Sequence, residues 1–377
     1  MRHRIVFVLV LVLAALMPLA LAQAESVDEW MRQAEVGPYQ PEVEDWDRIY
    51  ELAQEEGKVV VYSATPLILD AAAGFMERYP GIEVEAFDVR ALDLLEKVGR
   101  EWESGIFNAD VINVGSPEII RQQLEEIGAV VNYVPRDMMD VIPENFREPY
   151  LFQRMNAIGW AYNPDQHDEP PFTNWWELTE PQWQGRVMHD SPSRSFSTLQ
   201  FAIAVVEHAD EFAAAYERHF GEPIELTTPN AGYEYLKMLL ENSVIGSGGS
   251  TGMAQAVTDS TGLFTALVVY SLYGQTLEGG QYRFEYNRDM DPAMGLAWGE
   301  NQLLVTRSHN PNAAKLLTRW MLDEGYFAHF ARNPSPRTDV EPVAPYEKLG
   351  EMNWWTVDLD FAIDNGSEVL DFWLIYQ

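Results

Sequence analysis

The chain predicts an α/β fold of two lobes, each built on a doubly wound, mainly parallel sheet. Three observations predict it. Residues 58–84 read as strand–helix–strand, residues 109–127 repeat that design, and 377 residues are too many for one small core. The expected divisions are a leader at 1–24, an acidic helical lead-in at 25–57, a first lobe at 58–158 and a second lobe at 159–294. Residues 295–377 are expected to return to the first lobe and end in a tail.

Arg2, His3 and Arg4 precede an apolar run over 5–21, and Ala22-Gln23-Ala24 is a small-x-small cleavage site. This is the pattern of a secretory signal peptide. A membrane anchor is the alternative reading of the same run. The chain has no cysteine, so a lipoprotein anchor, disulfides and thiolate metal sites are excluded.

Val59-Val60-Val61-Tyr62 is an apolar, β-branched run suited to a buried strand. Thr65 is expected to cap the next helix, with Pro66 at its first position. Leu67, Ala71, Phe75 and Tyr79 recur every fourth residue and give that helix an apolar face. Pro80-Gly81 stops it, and Ile82, Val84 and Ala86 alternate with Glu83 and Glu85 as in a half-buried strand. Leu92, Leu95, Val98 and Trp102 mark another helix face. Residues 109–114 form a strand, and Ser116-Pro117 opens a helix over 118–127.

A strand over 155–162 and a proline- and acid-rich loop precede the lobe crossing. The second lobe opens with a strand at 186–189 and the hydroxyl loop 191–198, then a helix to Val206. Residues 246–252 lead into a short helix at 253–257. A strand at 303–305 and a helix at 313–322 make the return, and the aromatic tail 353–376 is expected to pack on the first lobe.

Aspartate and glutamate number 59 against 25 lysines and arginines, a formal charge of −34. Such a surface repels nucleic acid and anionic membrane, which excludes both as partners. The acids are spread along the chain, as solubility requires, and 47% hydrophobic residues supply a core.

Four strand-to-helix joints carry hydroxyls: Ser63 with Thr65, Ser116, Ser193 with Ser195, and Ser250 with Thr251. Singly, each is ordinary capping. If two lobes face each other, four helix N-termini meet in one cleft and can hold an anionic or polyoxygenated small molecule without a catalytic group. Arg90 and Arg194 stand where they add positive charge.

The order of several motifs resembles a known family. They are Glu56-Gly57-Lys58-Val59-Val60-Val61-Tyr62-Ser63, the run from Phe75 through Tyr79-Pro80-Gly81 to Val84, and Ala109-Asp110-Val111. Further on stand Trp183-Gln184-Gly185-Arg186-Val187, His309-Asn310-Pro311-Asn312-Ala313-Ala314-Lys315 and Asn333-Pro334-Ser335-Pro336-Arg337. Over residues 50–340 the chain resembles the periplasmic solute-binding proteins of ABC importers, in the ferric-iron, phosphonate and polyamine-type branch. The resemblance implies a two-lobed periplasmic binding protein fold joined by hinge strands, closing over a solute that is handed to an inner-membrane permease. We therefore expect a periplasmic monomer, with no enzymatic activity and no cofactor.

Ferric binders of this family often use tyrosines, commonly adjacent. This chain has Tyr270 and Tyr273 but no adjacent pair there, and two tyrosines three apart share a helix face as core residues do. The histidines show no metal spacing. The expected solute is a phosphonate or phosphorylated organic anion, with Tyr270 among its contacts. Ferric iron held by Tyr270 and Tyr273 is the alternative. Gly248-Gly249-Ser250-Thr251-Gly252 also fits the nucleophile elbow of a secreted serine hydrolase, with Asp291 and His309 or Asp323 and His329 as partners.

Overall fold

Two capped helices open the described chain, and from residue 58 strands and helices alternate. The computed structural model describes residues 26–273, 280–342, 348 and 352–377. The expected leader at 1–24 lies outside them. Helix α1 (Val27–Ala34) is capped by the Ser26 side chain, and α2 (Trp46–Glu56) by Asp45. Gly57, at φ 75°, ends α2 in the left-handed conformation that glycine adopts freely. Trp30, Ile49 and Ala53 of this acidic lead-in are buried against Val59, Phe75 and Trp320.

Next come β1 (Lys58–Ser63), α3 (Leu67–Arg78), β2 (Glu83–Asp88), α4 (Ala91–Glu103) and β3 (Val111–Val114). Helix α5 (Pro117–Ile120) runs on as a π-helix, Arg121–Glu125, before β4 (Val130–Asn132). The long strand β5 (Phe152–Tyr162) leads to β6 (Val187–His189), α6 (Phe196–Glu207), α7 (Ala209–Phe220) and α8 (Ala231–Asn242). Then follow β7 (Ser243–Ile245), α9 (Gly249–Asp259), β8 (Thr265–Val269) and β9 (Glu285–Tyr286). A second long strand, β10 (Gly295–Val305), precedes α10 (Pro311–Leu322), β11 (Trp354–Trp355) and α11 (Leu359–Tyr376).

The strands lie in the order β2-β1-β3-β10-β5-β8-β6-β7. Both ends are parallel: β1 pairs with β2 and β3, and β6 pairs with β7 and β8. The middle is antiparallel, where β10 pairs with β3 and β5, and β5 with β8. Two parallel α/β units are thus joined by two crossing strands of 11 residues each. No helix among the described residues is long and apolar enough to cross a membrane.

Four expectations need correction. The side chain of Thr65 does not cap α3. Pro66 takes the cap position with no side-chain hydrogen bond, and the helix starts at Leu67. The helix expected over 118–127 is a single α-turn followed by a π-helix. The helix expected at 253–257 is longer, starting at Gly249. The C-terminal helix does not pack chiefly on the first unit. Ala362, Val369 and Trp373 of α11 join the core of Trp175, Trp176 and Phe201, against α6 and α8. That core is the larger aromatic surface, so an aromatic helix buries more area there.

Asp110 ties the first unit together. It is buried, its Oδ2 accepts from the Val60 amide at 2.7 Å and from Asn310 Nδ2 at 3.0 Å, and its Oδ1 accepts from the Asn310 amide at 3.1 Å. It thereby fixes β1 to the entry of α10. Removing a buried charged acceptor leaves these donors unpaired. Asp110→Ala is expected to lower the free energy of unfolding by about 3 kcal/mol in urea titrations.

Candidate functional site

Polar side chains interrupt the apolar strands at one level of the sheet, at the carboxyl ends of β1 and β3. Ser63, the last residue of β1, pairs in register with Asn113, and Asn113 with Gln302 of β10. All three are at most 1% exposed. Ser63 Oγ donates to Asn113 Oδ1 at 3.2 Å, and Arg154 Nη1 donates to the same oxygen at 3.0 Å. Arg154, on β5, is 5% exposed and also donates to Gln153 Oε1 at 2.8 Å. Burial lowers its pKa, although the carboxylate of Glu300 opposes this.

This row is under-bonded. Glu300 Oε2 lies 3.9 Å from Arg154 Nη2, an ion pair longer than a hydrogen bond. Both side-chain polar atoms of Gln302 and the Oδ1 of Asn301 are buried with no partner among the described residues. Buried amides are normally satisfied, so unmet capacity at the carboxyl ends of strands points to a ligand or bound water.

The turns of the two units meet above this row. Gly115 approaches Phe196 and Glu300: a methyl group on it would stand 3.5 Å from Phe196 Cε1 and 3.7 Å from Glu300 Oε2. Gln200 Nε2, on α6, donates to Glu118 Oε1 at 3.3 Å. Ser116 is buried beside Gly115 in the left-handed conformation, at φ 63°, and does not cap α5. Ser195 does cap α6, accepting from the Thr198 amide at 3.2 Å, and its Oγ lies 3.1 Å from that of Ser197. The 12-residue α6 thus presents its N-terminus, the positive end of its dipole, from the second unit.

The other expected contacts fall outside this centre or are already engaged. Thr65 is half-buried beside Ser63. Arg90 is 90% exposed and paired with Asp93 at 2.8 Å. Ser193 bonds Ser191 at 2.9 Å. Arg194 is held by Asp190 at 2.6 Å and by the Gly246 carbonyl at 3.3 Å. Ser250 lies in the first turn of α9, which is not side-chain capped, and Thr251 Oγ1 donates to the Gly248 carbonyl at 3.0 Å. Of the four hydroxyl joints, only Ser195 is a side-chain cap.

Tyr270 and Tyr273 sit in an aromatic cluster with Phe284, Tyr286 and Trp354, and both are buried. Their ring centroids are 5.6 Å apart, and Tyr273 donates to Glu285. Burial raises both phenol pKa values. The hydrolase triad does not assemble. Asp291 is paired with Arg218 at 2.6 Å and Asp323 with Arg337 at 2.9 Å, and no hydrogen bond joins Ser250 to a histidine among the described residues.

Of the residues expected from the sequence, Ser63, Ser116 and Ser195 stand at or near this row, whereas Asn113, Arg154, Glu300, Asn301 and Gln302 were not among the expected ones. Their signal was available. Val-Ile-Asn-Val, and Asn-Gln ahead of Leu-Leu-Val, place amides where a buried strand wants apolar side chains.

No protein-family profile and no curated protein sequence matches the chain. Solved structures do match in fold. The chain is similar to iron-bound HitA from Pseudomonas aeruginosa at 19% identity and TM-score 0.65, covering 85% of this chain and 99% of that one. It is similar to apo ferric ion-binding protein A from Pasteurella haemolytica at 18% identity and TM-score 0.65, covering 84% and 96%. It is also similar to IdiA (FutA) from Trichodesmium, in complex with iron and citrate, at 14% identity and TM-score 0.65, covering 85% and 100%. The fold is that of the two-lobed periplasmic binding proteins.

His189 closes β6 below the Ser191–Ser195 turn. Its Nδ1 donates to the Asp190 carbonyl at 2.9 Å, its Nε2 accepts from Ser243 Oγ at 2.9 Å, and Trp373 stands edge-on at 4.9 Å. Burial lowers its pKa below the ordinary value of 6.5. The unfolded chain then binds the proton first as pH falls, so stability is complete above about pH 6.5 and is lost below it. The expected loss from this group is at most about 1.4 kcal/mol per pH unit. His189→Gln should flatten that part of the slope in melting curves taken between roughly pH 7.5 and 5, a window that brackets the ordinary histidine value.

Proposed function

We propose that the chain is the extracytoplasmic solute-binding component of an ABC import system, capturing a small anionic organic solute between its lobes and delivering it to a membrane permease. The observation that carries this reading is the under-bonded row at the carboxyl ends of β1 and β3. Asn301 and Gln302 have unused hydrogen-bonding capacity, and a buried guanidinium, Arg154, donates to Asn113, the register partner of Gln302. The capped N-terminus of α6 adds a second positive element from the opposite lobe. A phosphonate or phosphoryl group suits such donors. The two-lobed fold is compatible with hinge closure over a solute. The leader expected at residues 1–24 supports a location outside the cytoplasm.

Ferric iron is the second reading. It is favoured by the iron-bound state of fold neighbours and by the oxygen donors Tyr270, Tyr273 and Glu285. Burial raises both phenol pKa values, so iron would have to displace those protons to be held by phenolates. Among the described residues no group of three or more histidines, aspartates or glutamates is placed to hold a metal.

Native mass spectrometry of protein purified from its own host should show a defined organic mass increment. With methylphosphonate and glycerol 3-phosphate as calorimetric probes, Arg154→Gln should weaken binding by roughly 10- to 100-fold, the value of a lost charge-assisted hydrogen bond. A visible tyrosinate-to-iron band on adding ferric citrate, lost in Tyr270→Phe, together with no phosphonate binding, would replace this reading with the iron one.

A further inference from the structure

A small cavity of about 170 Å³ lies in the first lobe, on the side away from the polar row. Its walls are the acidic lead-in, from Glu35 after α1 to Leu52 in α2, and the first turns of α10, with Asn312 and Lys315. No residue of the second lobe lines it. Asn312 Nδ2 donates to Glu56 Oε1 at 2.7 Å, just before β1 begins, whereas the polar row stands at the carboxyl end of that strand.

Lys315 sets the chemistry of this space. It is 2% exposed, yet no carboxylate stands within ion-pair distance of its ammonium among the described residues. Its Nζ donates to the Ala34 carbonyl at 2.8 Å, which uses one of three N–H groups. Burial lowers its pKa, and the fields of Glu44, Glu35 and Glu56 oppose that shift. Buried ammonium groups are normally paired, so spare donors in a cavity wall call for an acceptor. Arg48 also lines the space, is exposed, and has no side-chain partner among the described residues. The carboxylates differ in what they still offer. Glu44 is buried and filled: it accepts from Tyr133 Oη at 2.5 Å, the Arg136 amide at 2.9 Å and Gln40 Nε2 at 3.3 Å. Asp45 is spent on capping α2. The exposed Glu35 side chain makes no hydrogen bond or ion pair among the described residues.

Three carboxylates and two cations therefore surround the cavity. An anion alone adds to the surplus negative charge, and a cation alone leaves the buried ammonium unmatched. We propose that this cavity binds a small α-amino acid as its zwitterion, apart from the interlobe solute site, with the carboxylate on Lys315 and Arg48 and the ammonium toward Glu35. The volume equals that of five or six waters at about 30 Å³ each, so only the smallest amino acids fit. An occupant bridges the lead-in and α10, and it stabilises the first lobe by mass action.

The test uses the full mature chain with glycine as probe, and acetate and methylammonium as its two halves. A ligand of about five heavy atoms reaches micromolar affinity at best, so calorimetric titrations run into the millimolar range. Glycine should bind saturably, and each half at least about tenfold more weakly, as loss of one charged contact requires. Hydrogen exchange should slow in peptides covering residues 34–52 and 311–316, and stay unchanged in those covering 113–118 and 195–200. Lys315→Met should weaken glycine binding by about tenfold or more. Arg48→Gln, at an exposed position, should weaken it by about threefold. Both variants are checked for native melting behaviour, and Arg48→Gln carries the test should Lys315→Met not fold. Absence of saturable glycine binding, equal binding of either half, protection at the cleft turns in place of the lead-in, or binding unchanged in a folded variant overturns the proposal.

Discussion

The pairing of β5 with β10 is the constraint on which the molecule depends. Seven residue pairs, from Gly295 opposite Gly159 to Asn301 opposite Phe152, are the antiparallel seam between two parallel sheets. The seam is close at its second-lobe end. A methyl group on Gly295 would stand 2.0 Å from the Ile158 carbonyl oxygen, and one on Gly159 would stand 2.6 Å from that of Met294. The Trp354 ring lies against the same two glycines. Side chains are excluded so that the two backbones and an indole can share one space. Both lobes hang from this ribbon, so any change in the angle between them is a change in its twist.

The same seam places the polar row. Arg154 and Glu300 are opposite one another on β5 and β10, and Gln302 of β10 is opposite Asn113 of β3. A ribbon wholly buried between lobes would be expected to be apolar throughout, as Leu303, Leu304 and Val305 are beyond it. The switch to charged and amide side chains occurs where the strand leaves one lobe for the other. Stability alone does not account for it, since buried unpaired amides cost free energy. The proposed binding of a polar solute gives those groups a use.

Much of the fold was legible because it follows from periodicity. The β-branched run at Val59–Val61 and the four-residue spacing of Leu67, Ala71 and Phe75 dictate local structure whatever surrounds them. The site was less legible. Serine and threonine before a helix report capping and ligand binding with the same letters, and three of the four joints carry neither a side-chain cap nor, in the case of Thr251, a free hydroxyl. Arg154 and Gln302 gave a cleaner signal, because nothing about strand formation calls for them. Both lie against Asn113, Arg154 by a hydrogen bond and Gln302 by strand register, and no local pattern encodes that juxtaposition of strands distant in sequence. The placement of α11 was hidden for a similar reason. Its aromatic residues say that it is buried, but not against which partner.

That helix changes how the hinge works. Its body belongs to the second lobe, where Val369 and Trp373 are buried with Phe201 and Trp175, and Gln377 accepts from Ser191 Oγ at 3.2 Å. Its first turn reaches the other way: Leu359 packs against the core of Leu94 and Leu124, and Asp360 pairs with Arg121. Lobe opening that carries α11 with the second lobe must therefore release Leu359 and the Arg121 pair. The pair is partly exposed and worth little, and a single half-buried leucine is worth about 1 kcal/mol. A tether of that strength biases the lobes toward each other without locking them. A solute bound across the junction can then tip the balance with a modest share of its binding free energy.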